Sequence, residues 1–282
     1  MSTYLIRYAE IALKGKNRKE FEQKLVSNIK KILRPEDSTV KRLQGRMLAE
    51  ADEQLDFSRV FGISSYSPCL QTKAELEIIF SEALKLAKAY TKTSTFRISA
   101  HRLTKEFPLS SMELNNKLGT YIIEKAGLKV QLENPTLDLG IEIIGNEAFL
   151  FDKTIACYGG LPVGIEGKVL ALVSDEKSLL AALLALKRGC CIEVASLPDH
   201  AGQDYSLLQM FSPNKLVLHN INNLSQAQEL AHKLECKALI VNDTLNELKE
   251  CPSFLIIPVL RPLIAFSDSE IKKELEKYKQ IL

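Results

Sequence analysis

Lysine and arginine residues crowd one short segment near the start of the chain, where they could bind a phosphate. Lys14, Lys16 and Arg18 fall within five residues around a glycine, just before a predicted helix. Cations at this end oppose the helix dipole and do not stabilise the helix. Together with the free N–H groups of the first turn, however, they suit a phosphate group. A solvated basic loop has the same spacing, so both interpretations stay open.

A second basic segment begins in a predicted strand at residues 96–100. The apolar residues Phe96, Ile98 and Ala100 alternate along the strand and are expected to point into a core. The side chains between them then point from the opposite face. The candidate polyanion-binding residues of this segment are Arg97, His101, Arg102 and Lys105. Surface charge around an edge strand would produce the same pattern, and a lone histidine beside a strand is more often structural.

A third candidate site is the loop that follows a buried apolar strand, where nucleotide-binding α/β domains place phosphates. Its sequence is Ser174-Asp175-Glu176-Lys177-Ser178. A phosphate loop needs glycines so that the backbone can come close with its N–H groups free, and this loop has none. Two carboxylates in this position would repel a pyrophosphate. We therefore interpret Ser174 as the N-cap of a helix, with Asp175 and Glu176 in the first turn.

The composition is that of a globular protein with two or three compact units: 282 residues, 46% hydrophobic and 26% charged. The net charge is only +2, but residues 1–50 carry twelve Lys or Arg against six Asp or Glu, and residues 166–282 thirteen against fifteen. A basic N-terminal end suits a polyanion-binding module joined to another domain. No apolar run approaches the roughly 18 residues of a spanning helix, and no signal-peptide pattern is present. We expect a cytoplasmic protein with no membrane partner.

The six cysteines form no C-x-x-C pair and no zinc-ligand spacing with histidine. A disulfide framework is not expected in a chain of this size and compartment. We interpret most of the thiols as small core residues and expect no metal site.

The first 66 residues predict a βαββαβ unit, the ferredoxin-like arrangement. In the first helix Phe21, Leu25 and Ile29 recur every four residues on one apolar face, and Asn17 is the expected N-cap. Strands are expected at residues 3–8, 40–43 and 46–51 and in a segment ending at residue 66, with a brief second helix near residues 57–61.

The next stretch, residues 67–158, predicts a second α+β unit. An amphipathic helix is expected at residues 74–90 and a later helix between an N-cap at Ser110 or Ser111 and a stop at Gly127. Residues 137–144 and 148–155 alternate well enough to form an antiparallel pair.

From residue 159 the pattern becomes that of an α/β domain. Four glycines and a proline at residues 159–167 predict a linker. The continuous apolar run at residues 169–173 is typical of a parallel strand. A doubly wound layout is then expected, with helices at residues 177–187, 226–234 and 269–278 and strands at residues 192–196, 215–218, 238–241 and 254–257.

Taken together, several segments resemble the tRNA 4-thiouridine synthetase (ThiI-type tRNA sulfurtransferase) family. They are R-Y-A-E…L-K-G-K-N-R…F-E at residues 7–22, residues 96–113, G-G-L-P-V-G…E-G-K at residues 159–168, L-K-R-G at residues 186–189 and P-V-L-R-P-L-I at residues 258–264. They occur in family order over nearly the whole chain, and the first 170 residues match best.

The resemblance implies a ferredoxin-like domain at residues 1–66, a THUMP domain at 67–158, the Gly-rich linker at 159–167 and a Rossmann-like PP-loop pyrophosphatase-like domain at 168–282. In the family the first two domains hold the tRNA acceptor stem and its 3′ end, and the third adenylates a uridine for sulfur transfer. Both basic clusters are therefore expected to contact tRNA.

The catalytic parts depart from the family pattern. The family carries Ser-Gly-Gly-x-Asp-Ser in its PP-loop, and the loop here is one residue shorter, without either glycine. The family's later Gly and Gln, which line the adenine side, fall on Asn242 and Cys251. The chain stops at Leu282, before the family's sulfur-carrying cysteine. The degenerate nucleotide-site equivalents are Leu172, Val173, Ser174, Asp175, Ser178 and Asn242.

We therefore expect a tRNA-binding protein of this family whose adenylation activity is lost or altered, with no catalytic residue assigned. ATP and Mg²⁺ are expected cofactors only if the altered loop still binds nucleotide. One alternative is an active tRNA sulfurtransferase that uses an external sulfur carrier. Another is a sulfur-transfer enzyme of thiamine biosynthesis. A homodimer and a partner modification enzyme are compatible with these interpretations.

Overall fold

A computed structural model describes residues 1–34, 38–200, 203–248 and 257–280. The chain divides into two compact units that alternate along the sequence. The first unit comprises Met1–Arg7, Pro35–Leu55 and Ser65–Ala156, and the second comprises Tyr8–Arg34, Asp56–Ser64 and Cys157–Leu282. Within the described residues, no helix is both long and apolar enough to span a membrane.

The described residues contain strands β1–β15 and helices α1–α7, along with short 3-10 turns. The strands are β1 (Ser2–Arg7), β2 (Thr39–Leu43), β3 (Arg46–Ala51), β4 (Ser65–Pro68), β5 (Leu70–Lys73), β6 (Thr95–Arg102), β7 (Lys129–Val130), β8 (Leu137–Ile144), β9 (Glu147–Phe151), β10 (Ile155–Ala156), β11 (Gly167–Leu172), β12 (Cys190–Ser196), β13 (Leu218–Asn220), β14 (Leu239–Ile240) and β15 (Val259–Leu260). The helices are α1 (Arg18–Leu33), α2 (Leu76–Lys88), α3 (Ser111–Ala126), α4 (Glu176–Lys187), α5 (Ser206–Phe211), α6 (Leu224–Lys233) and α7 (Asp268–Lys279).

Sheet A of the first unit has the antiparallel order β10-β4-β1-β3-β2. Its β4-β1-β3-β2 part is the ferredoxin-like order predicted for the start of the chain. The side chains of Leu5 and Leu48, from β1 and β3, are buried with Phe149 of β9 in one cluster. Sheet A therefore contributes to a core inside the first unit.

The brief helix predicted near residues 57–61 is wrong. Two successive turns occupy this segment instead: the Val60 N–H donates to the Phe57 carbonyl at 3.0 Å, and the Ile63 N–H donates to the Val60 carbonyl at 3.3 Å. Gly62, in the second turn, has a φ of 103°, which glycine tolerates and which a helix does not contain. Phe57 and Phe61 are both buried. Their four-residue spacing therefore reflects the burial of two single side chains and not a helical face.

Sheet B of the first unit has the order β5-β9-β8-β6-β7, in which β6 runs parallel to β7 and β8. Helices α2 and α3 cover one face, where Ile79, Leu118 and Leu139 are fully buried. The N-cap of α3 is Ser110, one of the two predicted serines, and the helix ends at the left-handed Gly127, as predicted. Glu113 completes a capping box with Ser110. The strand predicted at residues 148–155 is divided, because β10 pairs with β4 of sheet A.

Sheet C of the second unit is parallel, with the order β13-β12-β11-β14-β15. The chain moves outward from β11 through β12 to β13 and then returns to the other side of β11, so the strand order reverses between β11 and β14. Ligands of open α/β sheets bind at the carboxyl ends of strands at such a reversal. The prediction of a doubly wound layout is confirmed. Helix α5 was not predicted. Most of the strand predicted at residues 254–257 lies outside the described residues.

Helix α1 belongs to the second unit and buries Phe21, Leu25 and Ile29, as its periodicity predicted. The predicted cap differs in detail. Asn17 occupies the N-cap position, but its side chain accepts no capping hydrogen bond.

The Gly-rich segment at residues 159–167 packs on the second unit. The backbone N–H groups of Gly164, Ile165 and Glu166 all donate to one carbonyl, that of Gly189. At Gly160, where φ is 80°, a Cβ atom would lie 2.2 Å from a backbone carbonyl oxygen. Glycine is required there because of this close approach as well as the dihedral angle.

Candidate RNA-binding clusters and the loop after β11

The first basic cluster lies in the second unit, where two 3-10 turns lead into α1. Arg18 is held by its own neighbours. Its Nη2 donates to the Tyr8 hydroxyl at 2.8 Å and its Nε to Glu22 Oε1 at 2.9 Å, while that hydroxyl donates to the same carboxylate oxygen at 2.5 Å. Burial, then the bond to Glu22, raises the pKa of Tyr8. The hydrogen bond to Tyr8 raises the pKa of Arg18, so its guanidinium stays charged.

The two lysines of this cluster differ in their surroundings. Lys14 Nζ lies 3.7 Å from Glu166 Oε1 and 4.7 Å above the centre of the Phe21 ring, whereas the side chain of Lys16 is exposed. Of the three residues, Lys16 therefore presents its ammonium group most openly to a phosphate. That Lys14, Lys16 and Arg18 contact tRNA stays a prediction.

The second basic cluster lies in the first unit, on β6 and the loop after it. Arg97 Nη1 donates to the Leu132 carbonyl at 3.0 Å, and its Nη2 pairs with Asp138 on the neighbouring strand β8. Burial alone would raise the pKa of Asp138, but hydrogen bonds from Arg97 and Ser99 outweigh this effect and lower it. The aspartate therefore stays ionised beside the arginine.

Arg102 has a structural contact that spacing did not predict. Its Nη1 donates to the Phe107 carbonyl at 2.9 Å and to the Leu109 carbonyl at 3.1 Å, so it holds together the loop that precedes α3. His101 and Lys105 of the same cluster are exposed. These two side chains are the better candidates for contacts with a polyanion. The RNA contacts of Arg97, His101, Arg102 and Lys105 stay a prediction.

A cleft of about 540 Å³ lies within the first unit, between a face of sheet B and the ends of β1 and β3. Its lining combines three guanidinium groups with three carboxylates and includes both Arg97 and His101. At its base the Glu142 carboxylate, 2% exposed, accepts from Arg7 Nε at 2.5 Å and from Arg46 Nε at 2.6 Å. We name this arrangement the Glu142 triad.

Sequence reasoning missed the Glu142 triad. A signal was available, because Glu142 is a single carboxylate between two isoleucines in the apolar run of β8. Charged residues are almost never fully buried unless they are paired. The pattern indicated that Glu142 had partners, but it could not identify Arg7 and Arg46, which lie 135 and 96 residues away.

The loop after β11 has a different cap from the one predicted. The N-cap of α4 is Asp175 and not Ser174. Asp175 Oδ1 accepts from the Ser178 N–H at 2.8 Å, and the Ser178 side chain accepts in return from the Asp175 N–H, which completes a capping box. Ser178 Oγ accepts from the backbone N–H groups of Ser174 at 2.9 Å and Asp175 at 3.0 Å. Ser174 and Asp175 are both residue types that cap helices well. Asp175 is the cap because Ser178 then lies three residues onward, where its hydroxyl can complete the capping box.

Asn242, the predicted equivalent of a family nucleotide-site residue, joins the same loop. It follows β14, and its Nδ2 donates to Asp175 Oδ1 at 2.9 Å across the reversal in strand order. Leu172 ends β11, and Val173 is buried beside it. The structure therefore brings the six predicted equivalents to one place, whereas Cys251 lies outside the described residues.

Two ion pairs surround this loop. Lys177 pairs with Glu247, and Lys279 Nζ lies 2.9 Å from Glu176 Oε1. The hydrogen bond from Lys177, with others from Thr244, lowers the pKa of Glu247 to about 2. The charged side chains in the first turn of α4 are thus engaged within the protein.

Among the described residues, no three His, Cys, Asp or Glu side chains form a group that could hold a metal ion.

The family model of the ThiI ferredoxin-like domain matches residues 3–67, and that of the THUMP domain matches residues 73–152. With the parallel sheet C, these matches define the class of the protein as a THUMP-domain protein with a parallel α/β domain. The chain is 37% identical to a probable tRNA sulfurtransferase of Mycoplasmopsis synoviae, over 99% of this chain and 70% of that protein. It is 32% identical to a probable tRNA sulfurtransferase of Methanocaldococcus jannaschii, over 95% and 86%.

Two crystal structures are similar over nearly the whole chain. PH1313 from Pyrococcus horikoshii superposes with a TM-score of 0.83 at 30% identity, covering 99% of this chain and 100% of that one. A 4-thiouridine synthetase in complex with RNA and bound ATP superposes with a TM-score of 0.78 at 28% identity, covering 99% and 85%. The chain belongs to the tRNA sulfurtransferase family.

Proposed function

We propose that this chain is a tRNA-binding member of the tRNA sulfurtransferase family whose loop after β11 does not activate tRNA with ATP. The single observation that supports the absence of ATP activation is the hydrogen bonding of Ser178. Its Oγ accepts from both loop N–H groups, at 2.9 and 3.0 Å. These are donors of the kind that a phosphate-binding loop leaves free.

Binding of tRNA is supported by the family and by the two basic clusters. The 4-thiouridine synthetase of 28% identity forms a complex with RNA in its crystal structure. In this chain Lys16 and Lys105 have exposed side chains that can neutralise phosphates and release counterions, and the exposed His101 ring can donate or accept a hydrogen bond. The acceptor stem and its single-stranded 3′ end are the proposed ligand, and we propose a cytoplasmic location on the same basis.

A labelled tRNA titrated at several salt concentrations tests this part. We expect a dissociation constant in the micromolar range or below that rises steeply with salt, because each phosphate contact adds about one unit to the slope of log K against log salt. A Lys14→Ala, Lys16→Ala variant is expected to bind all tRNAs more weakly with a flatter slope. Unchanged affinity in this variant would show that the first cluster is only a solvated loop.

The loss of ATP activation is supported by the chemistry of the loop. PP-loop catalysis needs preorganised N–H donors where charge develops on the pyrophosphate. Here Ser178 supplies the acceptor for the N–H groups of Ser174 and Asp175, and Asn242 donates to the capping carboxylate. A nucleotide would have to displace all these bonds.

Electrostatics acts in the same direction. At an effective dielectric constant near 20, a carboxylate about 4 Å from a phosphate charge costs on the order of 4 kcal/mol. A ligand with a millimolar dissociation constant has only about that much binding free energy. Asp175 is within this loop and Glu176 begins the helix, so the repulsion would remove the affinity of an ordinary ATP site.

The test combines a calorimetric titration of Mg·ATP with an assay of pyrophosphate release in the presence of tRNA. We expect neither binding below about millimolar ATP nor release, from a preparation whose tRNA binding is confirmed in parallel. Release that depends on tRNA and is abolished by Asp175→Ala would overturn the proposal. It would favour instead an active sulfurtransferase in which Asp175 has a catalytic role.

A further inference from the structure

The Glu142 triad connects the two sheets of the first unit. Glu142 is on β8 of sheet B, whereas Arg7 ends β1 and Arg46 begins β3 of sheet A. Each arginine reaches a different oxygen of the carboxylate, through Nε, at 2.5 and 2.6 Å. Arg7 also donates from Nη1 to Ser67 Oγ at 3.0 Å and lies 4.6 Å from the centre of the Phe151 ring. Sheet B is therefore joined to sheet A through two directional contacts.

Stability does not explain why an ion triad occupies this position. Removing three charges from water is costly, and replacing a buried ion triad with apolar residues of similar volume is often neutral or stabilising. What such a triad adds is direction, because guanidinium and carboxylate groups bond in a fixed planar geometry. An apolar contact at this place would let the two sheets shift.

The triad also forms the base of the cleft that contains two of the predicted RNA-binding residues. Along the parallel strands β6 and β8, Glu142 is the register partner of His101, and Asp138 is the partner of Arg97. The opposite wall carries Arg7 and Arg46. The distance between the two walls is therefore set where Glu142 bonds both arginines.

The charge of the cleft makes its width important. Three guanidinium groups face three carboxylates, so net attraction for phosphate is small there. A single-stranded nucleotide would be recognised by hydrogen bonding and stacking, and both depend steeply on distance and orientation. Selectivity for single-stranded RNA in this cleft requires that its walls hold a fixed spacing.

We propose that Glu142 is a positioning residue that sets the width of this cleft for the single-stranded 3′ end of an RNA ligand. The proposal rests on the proposed function, because it takes RNA as the ligand. Glu142 does not itself contact the RNA, since its carboxylate is buried and both oxygens accept from arginines. Its removal should abolish discrimination between RNAs with and without a 3′ tail, and leave the binding of duplex phosphates by the exposed lysines in place.

The experiment measures the affinities of full-length protein for a minihelix with a 3′ tail and for the same minihelix with a blunt end. Three variants are compared with wild type. Glu142→Gln removes the charge at constant size, and the triple variant Arg7→Met, Glu142→Leu, Arg46→Met replaces the triad with apolar groups. Glu50→Gln is the matched control, because Glu50 is an ion-paired carboxylate of sheet A, bonded to Lys41 at 2.9 Å, that does not line the cleft.

For wild type and for Glu50→Gln we expect the tailed RNA to bind about tenfold more tightly, the effect of one well-stacked base. In Glu142→Gln and in the triple variant the ratio should fall to about one, while affinity for the blunt RNA stays within about twofold of wild type. Thermal melting of each variant shows whether it is folded. A purely structural role would change melting but not the ratio.

Two results would reject the role of Glu142. One is a folded triple variant that retains the wild-type preference for the tail, and the other is unfolding of both variants, which would assign the triad to stability alone. Failure of the proposed function appears differently, as wild-type protein that binds neither RNA. Binding of both RNAs by wild type, with equal affinity, would reject the assignment of the tail to the cleft and leave tRNA binding in place.

Discussion

The capping aspartate of α4 offers a quantitative prediction, because its bonds are few and local. Asp175→Ala removes the acceptor of the Ser178 N–H at 2.8 Å and of the Asn242 amide at 2.9 Å. Loss of an N-cap costs about 1 kcal/mol, within a range of roughly 0.5–2, and loss of a partly exposed side-chain hydrogen bond adds about 0.5 kcal/mol. We expect a total of about 1.5 kcal/mol. Ser174→Ala should cost close to zero, because Ser174 contributes its backbone N–H to the loop.

Urea unfolding followed by circular dichroism measures this difference in the full chain. With an m-value of about 2 kcal/mol per molar urea, 1.5 kcal/mol lowers the transition midpoint of the second unit by about 0.7 M. Asp175→Asn is the matched control, since asparagine caps as well as aspartate. It should retain most of the stability, and tRNA affinity should be unchanged in all three variants.

The reasoning has clear points of failure. If Ser174→Ala destabilises the unit as much as Asp175→Ala, then Ser174 is the cap and the Ser178 bonds do not form in solution. If Asp175→Asn loses as much as Asp175→Ala, the stabilisation comes from the carboxylate charge near the helix N-terminus and not from the hydrogen bond.

The remaining predictions concern RNA affinity, acid stability and packing. Lys16→Ala should weaken tRNA binding irrespective of sequence and reduce the salt slope by about one unit, as measured by fluorescence anisotropy across a potassium chloride series. The pKa of Glu247 is lowered to about 2 by the Lys177 pair, so this pair stabilises the fold fully above about pH 5 and its contribution is lost as the pH falls toward 2. Urea titrations at pH 3 and pH 7 give the free energy of unfolding that is lost on acidification. In Glu247→Gln this loss should be smaller than in wild type by about 0.5 kcal/mol, the modest value of an exposed pair. Gly160→Ala should cost more than about 2 kcal/mol, because a Cβ would lie 2.2 Å from a carbonyl oxygen at a φ of 80°. Gly159→Ala, also at positive φ but with nothing within 4 Å, should cost only about 1 kcal/mol. Urea unfolding of both variants at pH 7 measures this difference.

The local sequence pattern was sufficient to predict an element wherever that element is determined by its own residues and their immediate neighbours. Helix α3 is an example, since Ser110, Glu113 and Gly127 bound it by hydrogen bonds within a few residues. The apolar face of α1 and the continuous apolar strand β11 were predicted for the same reason. The failure at residues 57–61 shows the limit: Phe57 and Phe61 have helical spacing and are both buried, but Phe61 packs against Phe211 and Tyr278, which are distant in sequence.

The site shows the same division. From composition alone, a loop without glycine and with two carboxylates predicts poor phosphate binding, and the structure adds the acceptor that occupies its N–H groups. Which residue caps α4 was mispredicted, because Ser174 and Asp175 are equivalent by propensity. The choice depends on the reciprocal bonds of Ser178 and on Asn242, which lies 67 residues away.

By itself the sequence determined the order of the domains, the family resemblance, the positions of the basic clusters and the absence of glycine from the loop after β11. These are properties of short segments, which propensity and periodicity express directly. Only the tertiary structure decided which charges are engaged and which are exposed. Arg18 closes a bond network with Tyr8 and Glu22, and Glu142 meets arginines 135 and 96 residues away. Such pairings depend on how strands are ordered in the sheets, and no local pattern along the chain records that order.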